Sequence, residues 1–372
     1  MLEIPATMAT LFERRLGQLD PREREVLELI AAYGRPMPLS LIATVAKMDD
    51  DGVHHIVRGL LRRQMVLRGT LGGQSCCWPT HDRIRELAYA RTDRETRLAL
   101  HRALAEALEA RAAGAGDAPL DELARQWWAA EDREKALDYC LRGGREAKRR
   151  HALETGIGLL DHALELLPAN DTTRRTAIEE DLAEMLALAG DFDRAAALYD
   201  RLLPKLASVL DRARVLRQRG SIAFHRGNTP VARENIWKAV ERLGERRPRS
   251  RVALFTQIAL AAAEHFLVRL FPALRRPAKD PATIAAKADC YLALVYPNFF
   301  TDPLEAALVV LRGANLATTV GPGPQLSLAF SHLSFLFYGL VLNRFDTAME
   351  YNRRALAMAD ALELPLHRAH AF

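Results

Sequence analysis

The sequence predicts an almost wholly helical protein: three short helices closed by one β-hairpin, then a long array of paired helices. Three observations predict it. Hydrophobic residues make up 49% of the 372 and aromatic ones only 7%, with Ala, Leu, Arg and Glu dominant, side chains that lose little rotamer freedom on a helix. The diglycine Gly72-Gly73 separates two short strand-like runs. Further on, a turn signature followed by Ala and Leu at helical spacing recurs at a steady interval. A chain of this length and apolar content can bury a sizeable core, so an ordered fold is the expectation.

Taken in order, residues 20 to 33 open as a helix, with Asp20 at the N-cap, Pro21 at the first helical position and Glu23 closing a capping box. Val26, Leu27, Leu29 and Ile30 form its apolar face. After Gly34-Arg35-Pro36 a second helix is expected from about Pro38 to Met48. Asp49 to Asp51 cap a third through Met65, with Val53, Ile56, Val57, Leu60 and Leu61 inward. Three short helices in tandem suggest helix-turn-helix geometry. The strand-like runs Met65 to Arg68 and Gln74 to Trp78 around the diglycine add a wing, so this unit reads as a winged helix with a small β-hairpin. From Pro79-Thr80-His81-Asp82 helix is expected to continue through Leu87, Leu98, Leu104 and Leu108 to a linker at Gly114 to Asp117.

Beyond the linker a small or polar turn precedes each amphipathic run: Glu131-Asp132, Gly190-Asp191, Gly227-Asn228, Thr301-Asp302 and Asn343-Arg344-Phe345-Asp346. Asp191 to Asn228 is 37 residues, Asn228 to Asp302 is 74 or twice that, and Asp302 to Asp346 is 44. This period fits one helix pair per repeat, the pattern of a tetratricopeptide-like (TPR-like) α-solenoid. Thr155 to Pro168 supplies a further helix. A loop is expected within 245–290, where Arg246, Arg247, Arg249 and Arg251, then Pro272, Arg275, Arg276 and Pro277, break the rhythm. The fold class is therefore all-α, a winged helix followed by a TPR-like solenoid. The domains are 1–19, the tail of a preceding helical segment; 20–112, the winged helix and its linker helix; and 118–372, the repeats. Glu3 to Leu19 enters amphipathic without a cap, and His370-Ala371-Phe372 falls inside what should be another repeat helix, so the chain is expected to be a fragment truncated at its C-terminus.

The net charge of +5 comes mostly from Arg and is weak support for a nucleic-acid partner. Cys76, Cys77, Cys140 and Cys290 lack metal-ligand spacing, and no secretory signal opens the chain, which points to the cytoplasm. Gln325 to Asn343 carries no Lys, Arg, Asp or Glu, but three serines and His332 interrupt it. A buried repeat helix, and no membrane, is the expectation there.

Arg14-Arg15-Leu16-Gly17-Gln18-Leu19-Asp20-Pro21, then Val26-Leu27, Ala31-Ala32-Tyr33-Gly34 and Pro38-Leu39, resemble the segment after the nucleotide-binding domain of STAND-type signalling ATPases. Thr80-His81-Asp82-Arg83-Ile84-Arg85-Glu86-Leu87-Ala88-Tyr89, Arg97, His101-Arg102-Ala103-Leu104-Ala105 and Leu123-Ala124 look like the winged-helix exit in bacterial members. The resemblance covers about the first 165 residues by motif and the rest by repeat style. It implies a winged helix that couples an upstream ATPase in cis to repeats sensing a ligand or partner. It also implies that His81, standing where relatives carry the histidine of a Met-His-Asp motif, contacts the β-phosphate of ADP when such a domain precedes it. Here Thr80 replaces the methionine, and the plainer reading of His81-Asp82 is a capping arrangement at a helix start.

No phosphate loop, paired magnesium-binding acids, kinase signature, Gly-x-Ser-x-Gly elbow or His-Glu-x-x-His occurs, so this chain is read as non-catalytic, with no cofactor or metal of its own; ATP or ADP would belong to a full-length parent. Gly321-Pro322-Gly323-Pro324 reads as a rigid turn, and His54-His55, adjacent on a helix, are not a chelating pair. Trp127-Trp128 read as packing residues. The leading function is a regulatory and interaction module whose repeats present a groove to a protein, peptide or small effector. The alternative is a DNA-binding regulator reading through Arg58, Arg62 and Arg63 on the third helix, although DNA is the less favoured partner because no aromatic, Asn or Gln reader accompanies that stripe. Arg145, Lys148, Arg149 and Arg150 could form a basic patch, with a solvated helix face as the plainer reading.

Overall fold

The computed structural model describes residues 6–115, 118–271, 273 and 277–364. Its contacts divide the chain into two compact units, Met1–Met185 and Leu186–Phe372.

In the first unit α1 (Ala6–Gly17) buries Phe12 and Leu16. Next comes α2 (Pro21–Tyr33): Asp20 accepts from the Glu23 backbone N–H at 2.8 Å, the Glu23 carboxylate accepts from the Asp20 N–H at 3.3 Å, and Gly34 closes the helix in the left-handed region at φ 71°. Such a box contributes about 1 kcal/mol. Strand β1 (Met37–Pro38) leads into α3 (Leu39–Ala46) and α4 (Asp50–Arg62), followed by β2 (Val66–Leu71) and β3 (Gln74–Pro79). The sheet is antiparallel in the order β1-β3-β2, with Met37 opposite Cys77 and Leu71 opposite Gln74 across the Gly72-Gly73 turn. Three helices thus pack with one small antiparallel sheet. Leu27, Ile30, Ile42, Leu60 and Met65 form their solvent-free centre. Deleting any one of these side chains to Ala would cost about 2–5 kcal/mol.

Several boundaries differ from the sequence reading. Met65 lies outside α4, because Gln64 turns into the left-handed region at φ 58° and the chain must reverse into β2. The two-residue strand β1 escapes any periodicity argument. Helix does not run unbroken from Asp82: α5 (Asp82–Arg91) and α6 (Arg94–Ala115) are separate, with Asp93 capping α6 by accepting from the Thr96 N–H at 2.9 Å. The expected linker begins later than Gly114, and Gly116 and Asp117 lie outside the described residues.

The helices that follow in this unit are α7 (Leu120–Ala129), α8 (Arg133–Arg149), α9 (Leu153–Leu166) and the start of α10 (Thr172–Ala189). The second unit contains α11 (Phe192–Leu202), α12 (Val209–His225), α13 (Thr229–Arg242), α14 (Arg251–Leu270), α15 (Pro281–Ala293), α16 (Val295–Phe299), α17 (Pro303–Val320), α18 (Pro324–His332), a π-helical segment (Leu333–Val341) and α19 (Phe345–Ala361).

The recurring turn signature has one physical cause. Glu131, Gly190, Gly227 and Asn343 each take positive φ, at 58°, 84°, 77° and 50°. At the first three the next residue donates its N–H back to the end of the preceding helix: Asp132 to Trp127, Asp191 to Leu186 and Asn228 to Ala223, at 2.8–3.1 Å. The same three side chains then cap the next helix by accepting from Lys135, Arg194 and Val231 at 3.1–3.3 Å. One residue stops a helix and its neighbour starts the next, which turns the chain back with almost no loop. Asp302 caps α17 in the same way, whereas Arg344 makes no side-chain cap for α19.

The loop expected within 245–290 is largely helix. Arg251 to Leu270 forms α14, capped by Ser250, whose hydroxyl accepts from the Ala253 N–H at 3.2 Å. Two of the arginines read as rhythm-breaking are paired, Arg247 with Glu305 at 3.4 Å and Arg251 with Asp302 at 3.1 Å. Pro272, Arg275 and Arg276 lie outside the described residues, as does the expected helix start at His370-Ala371-Phe372. The apolar stretch Gln325 to Asn343 is α18 plus the π-helical segment, with Leu326, Leu333, Leu336 and Phe337 buried. Among the described residues the helix long and apolar enough to cross a membrane is instead α14, most of which is not buried.

Candidate ligand-binding site

His81 occupies the N-cap position of α5, but its side chain makes no capping hydrogen bond there. It is exposed, its ring 5.8 Å from that of Phe12, on the rim of a depression of about 490 Å³ that Arg15, Gln64 and Thr80 also line. Of the arginines considered for DNA, Arg58 and Arg62 are exposed on α4, while Arg63 pairs with the buried carboxylate of Glu23 at 3.1 Å. Asp49, Asp50 and Asp51 crowd the N-terminus of the same helix, the end that must approach phosphate in helix-turn-helix docking. His54 and His55 diverge, and among the described residues no group of three His, Cys, Asp or Glu side chains is placed to hold a metal. Trp127 is buried, donates to Glu109 at 2.9 Å and lies under the Lys135 ammonium, while Trp128 stacks on His162. The proposed basic patch is largely neutralised: Lys148 bonds Asp181 and Glu184 at 2.7 and 2.6 Å, and Arg149 and Arg150 share Glu146.

Within the first unit a buried polar chain links α2, α5, α6 and α7. The Tyr89 hydroxyl meets His101 Nε2 at 2.9 Å, His101 Nδ1 meets Gln126 at 2.6 Å, and Gln126 donates to Glu122 at 2.7 Å. Glu122, with 3% of its side chain exposed, also holds Arg125 and Arg35 at 2.5 and 3.4 Å, and Arg125 donates to the Tyr33 carbonyl at the end of α2. Burial lowers the His101 pKa despite the Gln126 hydrogen bond, which keeps the imidazole neutral near pH 7. The network is not fully satisfied, since Glu122 Oε2 and Arg125 Nε make no hydrogen bond, although Arg35 approaches that oxygen as an ion pair.

The second unit contains the site that sequence reasoning missed. A cavity of about 800 Å³ opens between α14, α17, α18 and α19. Its walls are apolar, from Leu260, Val268, Leu326, Phe330 and Leu333, and its floor is polar. His265, 9% exposed, is at the centre: its Nε2 lies 2.9 Å from the Tyr338 hydroxyl and 3.3 Å from that of Tyr351. Asn315 commits its amide nitrogen to the Ala261 carbonyl at 2.9 Å and to Glu264 at 3.1 Å. Its amide oxygen is therefore left for the His265 Nδ1–H, and the one lone pair of Nε2 accepts from the nearer Tyr338 hydroxyl, with that of Tyr351 beside it. Burial, and then the charge of Arg269, push the His265 pKa down to about 4 against this Asn315 hydrogen bond, so the ring is neutral at pH 7.

The phenol rings of Tyr338 and Tyr351 stack at 4.9 Å, and the Arg269 guanidinium covers both at 5.3 and 5.4 Å. Arg269 and Arg354 share one carboxylate, Glu350. Burial raises the Tyr351 pKa, and the neighbouring Tyr338 adds to it, so the phenol keeps its proton. The Thr318 and Thr319 hydroxyls are spent on helix carbonyls at 2.8 Å. What remains presented is an apolar hollow with two guanidinium groups at one place and the Glu264 carboxylate at another. The histidine that lines it is held neutral, with both ring nitrogens hydrogen-bonded. Spacing could not reveal it, since His265 and Tyr351 are 86 residues apart.

No known family profile matches the chain, and no curated protein matches it. Solved structures do match. A Signal Transduction ATPase with Numerous Domains (STAND) protein with a tetratricopeptide repeat sensor, from Pyrococcus horikoshii, aligns with 99% of this chain and 49% of its own at 12% identity and TM-score 0.44. The chain thus spans about half the length of that protein. BtubC from P. vanneervenii aligns with 73% of this chain and 93% of its own, at 17% identity and TM-score 0.39. The quorum sensor NprR from B. thuringiensis, in its apo form, aligns with 86% and 96%, at 16% and 0.29. At these identities and scores no functional residue carries across.

Proposed function

We propose that this chain is a non-catalytic regulatory module of a cytoplasmic signal-transduction ATPase, in which the helical repeats take up a protein, peptide or small effector and the winged helix relays its presence. The observation that carries the sensing half is the cavity between α14, α17, α18 and α19, of about 800 Å³, within the range of roughly 300–1,000 Å³ usual for ligand sites. The relay half draws support from the buried chain running from Tyr89 through His101, Gln126 and Glu122 to Arg35 and Tyr33. Occupancy would favour one packing of the winged helix over another, a coupling of about 1–3 kcal/mol, without any chemical step. The resemblance of residues 14–21 and 80–89 to the STAND-type region supports an upstream ATPase in cis that binds ATP or ADP, with His81 as its phosphate contact. The DNA-binding alternative has less support, since the three aspartates at the start of α4 would meet phosphate.

Hydrogen exchange with and without an apolar probe such as decanoate tests both halves. The expected result is slowed exchange in 254–270 and 345–361 together with altered exchange in 21–91. A response confined to the first two segments would refute the relay. No response anywhere, with Ala263→Trp behaving as wild type, would refute the sensing site as well. Millimolar ADP should leave the melting temperature of this chain unchanged; a shift abolished by His81→Ala would show that His81 acts without an upstream domain.

A further inference from the structure

The geometry points to an amphipathic monocarboxylate as the ligand of the second-unit cavity: an apolar body with one carboxylate, seated against Arg354. This rests on reading the cavity as the sensing site, and deepens it. The apolar walls set the body of the ligand, since Leu260, Val268, Leu326, Phe330 and Leu333 offer nothing to a polar chain.

A peptide backbone would need a row of uncommitted hydrogen-bond donors for its carbonyls, and among the described lining residues no neutral side chain has one to give. Asn315 is spent on Ala261 and Glu264, both threonine hydroxyls are spent on carbonyls, and His265 is spent on Asn315 and two tyrosines. The groups left to recognise a ligand are charged. Two guanidinium groups share the single carboxylate of Glu350, which leaves one positive charge in excess at that place. Arg269 is pinned by two tyrosine faces, whereas Arg354, with 53% of its side chain exposed, lies over Tyr351 alone and can turn one edge of its planar fork to an incoming carboxylate. Glu264, which lines the same cavity, would repel a second anionic group and so limits the ligand to one.

Isothermal titration of the full chain with decanoate, decanol and decylamine tests this. Decanoate is expected to bind one site per chain at least about tenfold more tightly than decanol, the worth of a charge-assisted pair. Arg354→Gln should bring decanoate to within about twofold of decanol while leaving decanol binding unchanged, and Ala263→Trp, at an exposed α14 position on the cavity wall, should weaken all three. Decylamine binding as tightly as decanoate, or decanoate binding that ignores Arg354→Gln, overturns the carboxylate assignment and leaves the cavity reading standing. Absence of binding by all three, or binding that Ala263→Trp does not touch, overturns the cavity reading and this assignment with it.

Discussion

His265 sits neutral in the folded chain with its pKa pushed down to about 4 by burial and Arg269, whereas in an unfolded chain it titrates near 6.5. Below pH 6.5 the unfolded form takes up a proton that the folded form refuses until about pH 4, so stability is full above that window and falls as pH drops through it. The gap between 6.5 and about 4, at about 1.4 kcal/mol per unit, amounts to about 3 kcal/mol, most of it gone by pH 4.5. The loss belongs to the elements the network joins. Hydrogen exchange of residues 254–270 and 345–361, corrected for the intrinsic pH dependence of exchange, reads it as an opening free energy. Comparison with His265→Gln isolates it, because glutamine takes no proton. The variant should open more easily at pH 7, by about 1–3 kcal/mol for the broken buried bonds, yet depend less on pH. Wild-type opening should become roughly fifty- to a hundredfold more frequent between pH 7 and 4.5, relative to the variant. Equal pH slopes for the two proteins would refute the account of a neutral, proton-refusing imidazole.

Gly220 of α12 lies so close to α13 that an added Cβ would meet the Ala232 carbonyl oxygen at 2.9 Å and press on Ile236, so Gly220→Ala should destabilise the second unit by about 1–3 kcal/mol. Gly158, in the middle of α9, has nothing within 4 Å of such a Cβ, and Gly158→Ala should stabilise by about 0.5–1 kcal/mol; thermal melting of the pair, expected to move in opposite directions, checks both. Asp20→Ala removes the capping box of α2 and should cost about 1 kcal/mol in the first unit, read by exchange over 21–33. All four cysteines are buried and free, and burial raises the thiols of Cys77, Cys140 and Cys290 to about 12, 11 and 12. A thiol reagent at pH 8 should therefore modify none of them until denaturant is added.

The features legible in the sequence are those that local chemistry decides. Asp20 and Glu23 announce α2, Gly72-Gly73 announces the hairpin, and the pairs Gly190-Asp191 and Gly227-Asn228 announce their turns, because each is a contract between residues at most a few positions apart. The reading failed where tertiary partners reverse a local impression. Arg247 and Arg251 looked like a break in the rhythm, yet Glu305 of α17 and its N-cap Asp302 take them up, and α14 follows without a Gly or Pro from Arg251 to Leu270. That long stretch free of breakers was the signal available for the helix. No comparable signal existed for the cavity, whose floor joins His265, Asn315 and Tyr351 from three separate elements, with Tyr338 of a fourth hydrogen-bonded to His265.

The π-helical segment from Leu333 to Val341 delivers the Tyr338 hydroxyl to His265. Its wider winding presents Tyr338 roughly a quarter turn away from where an α-helix begun at Leu333 would carry it. The contact is therefore set by a reading frame of winding as much as by residue type. Two related chains could match letter for letter at the histidine, both tyrosines and both arginines, and still differ in whether the hollow has a floor, if one of them were a residue shorter between Pro324 and Asn343. A search that compares identities would score such chains alike. Counting residues across that one helix would tell them apart.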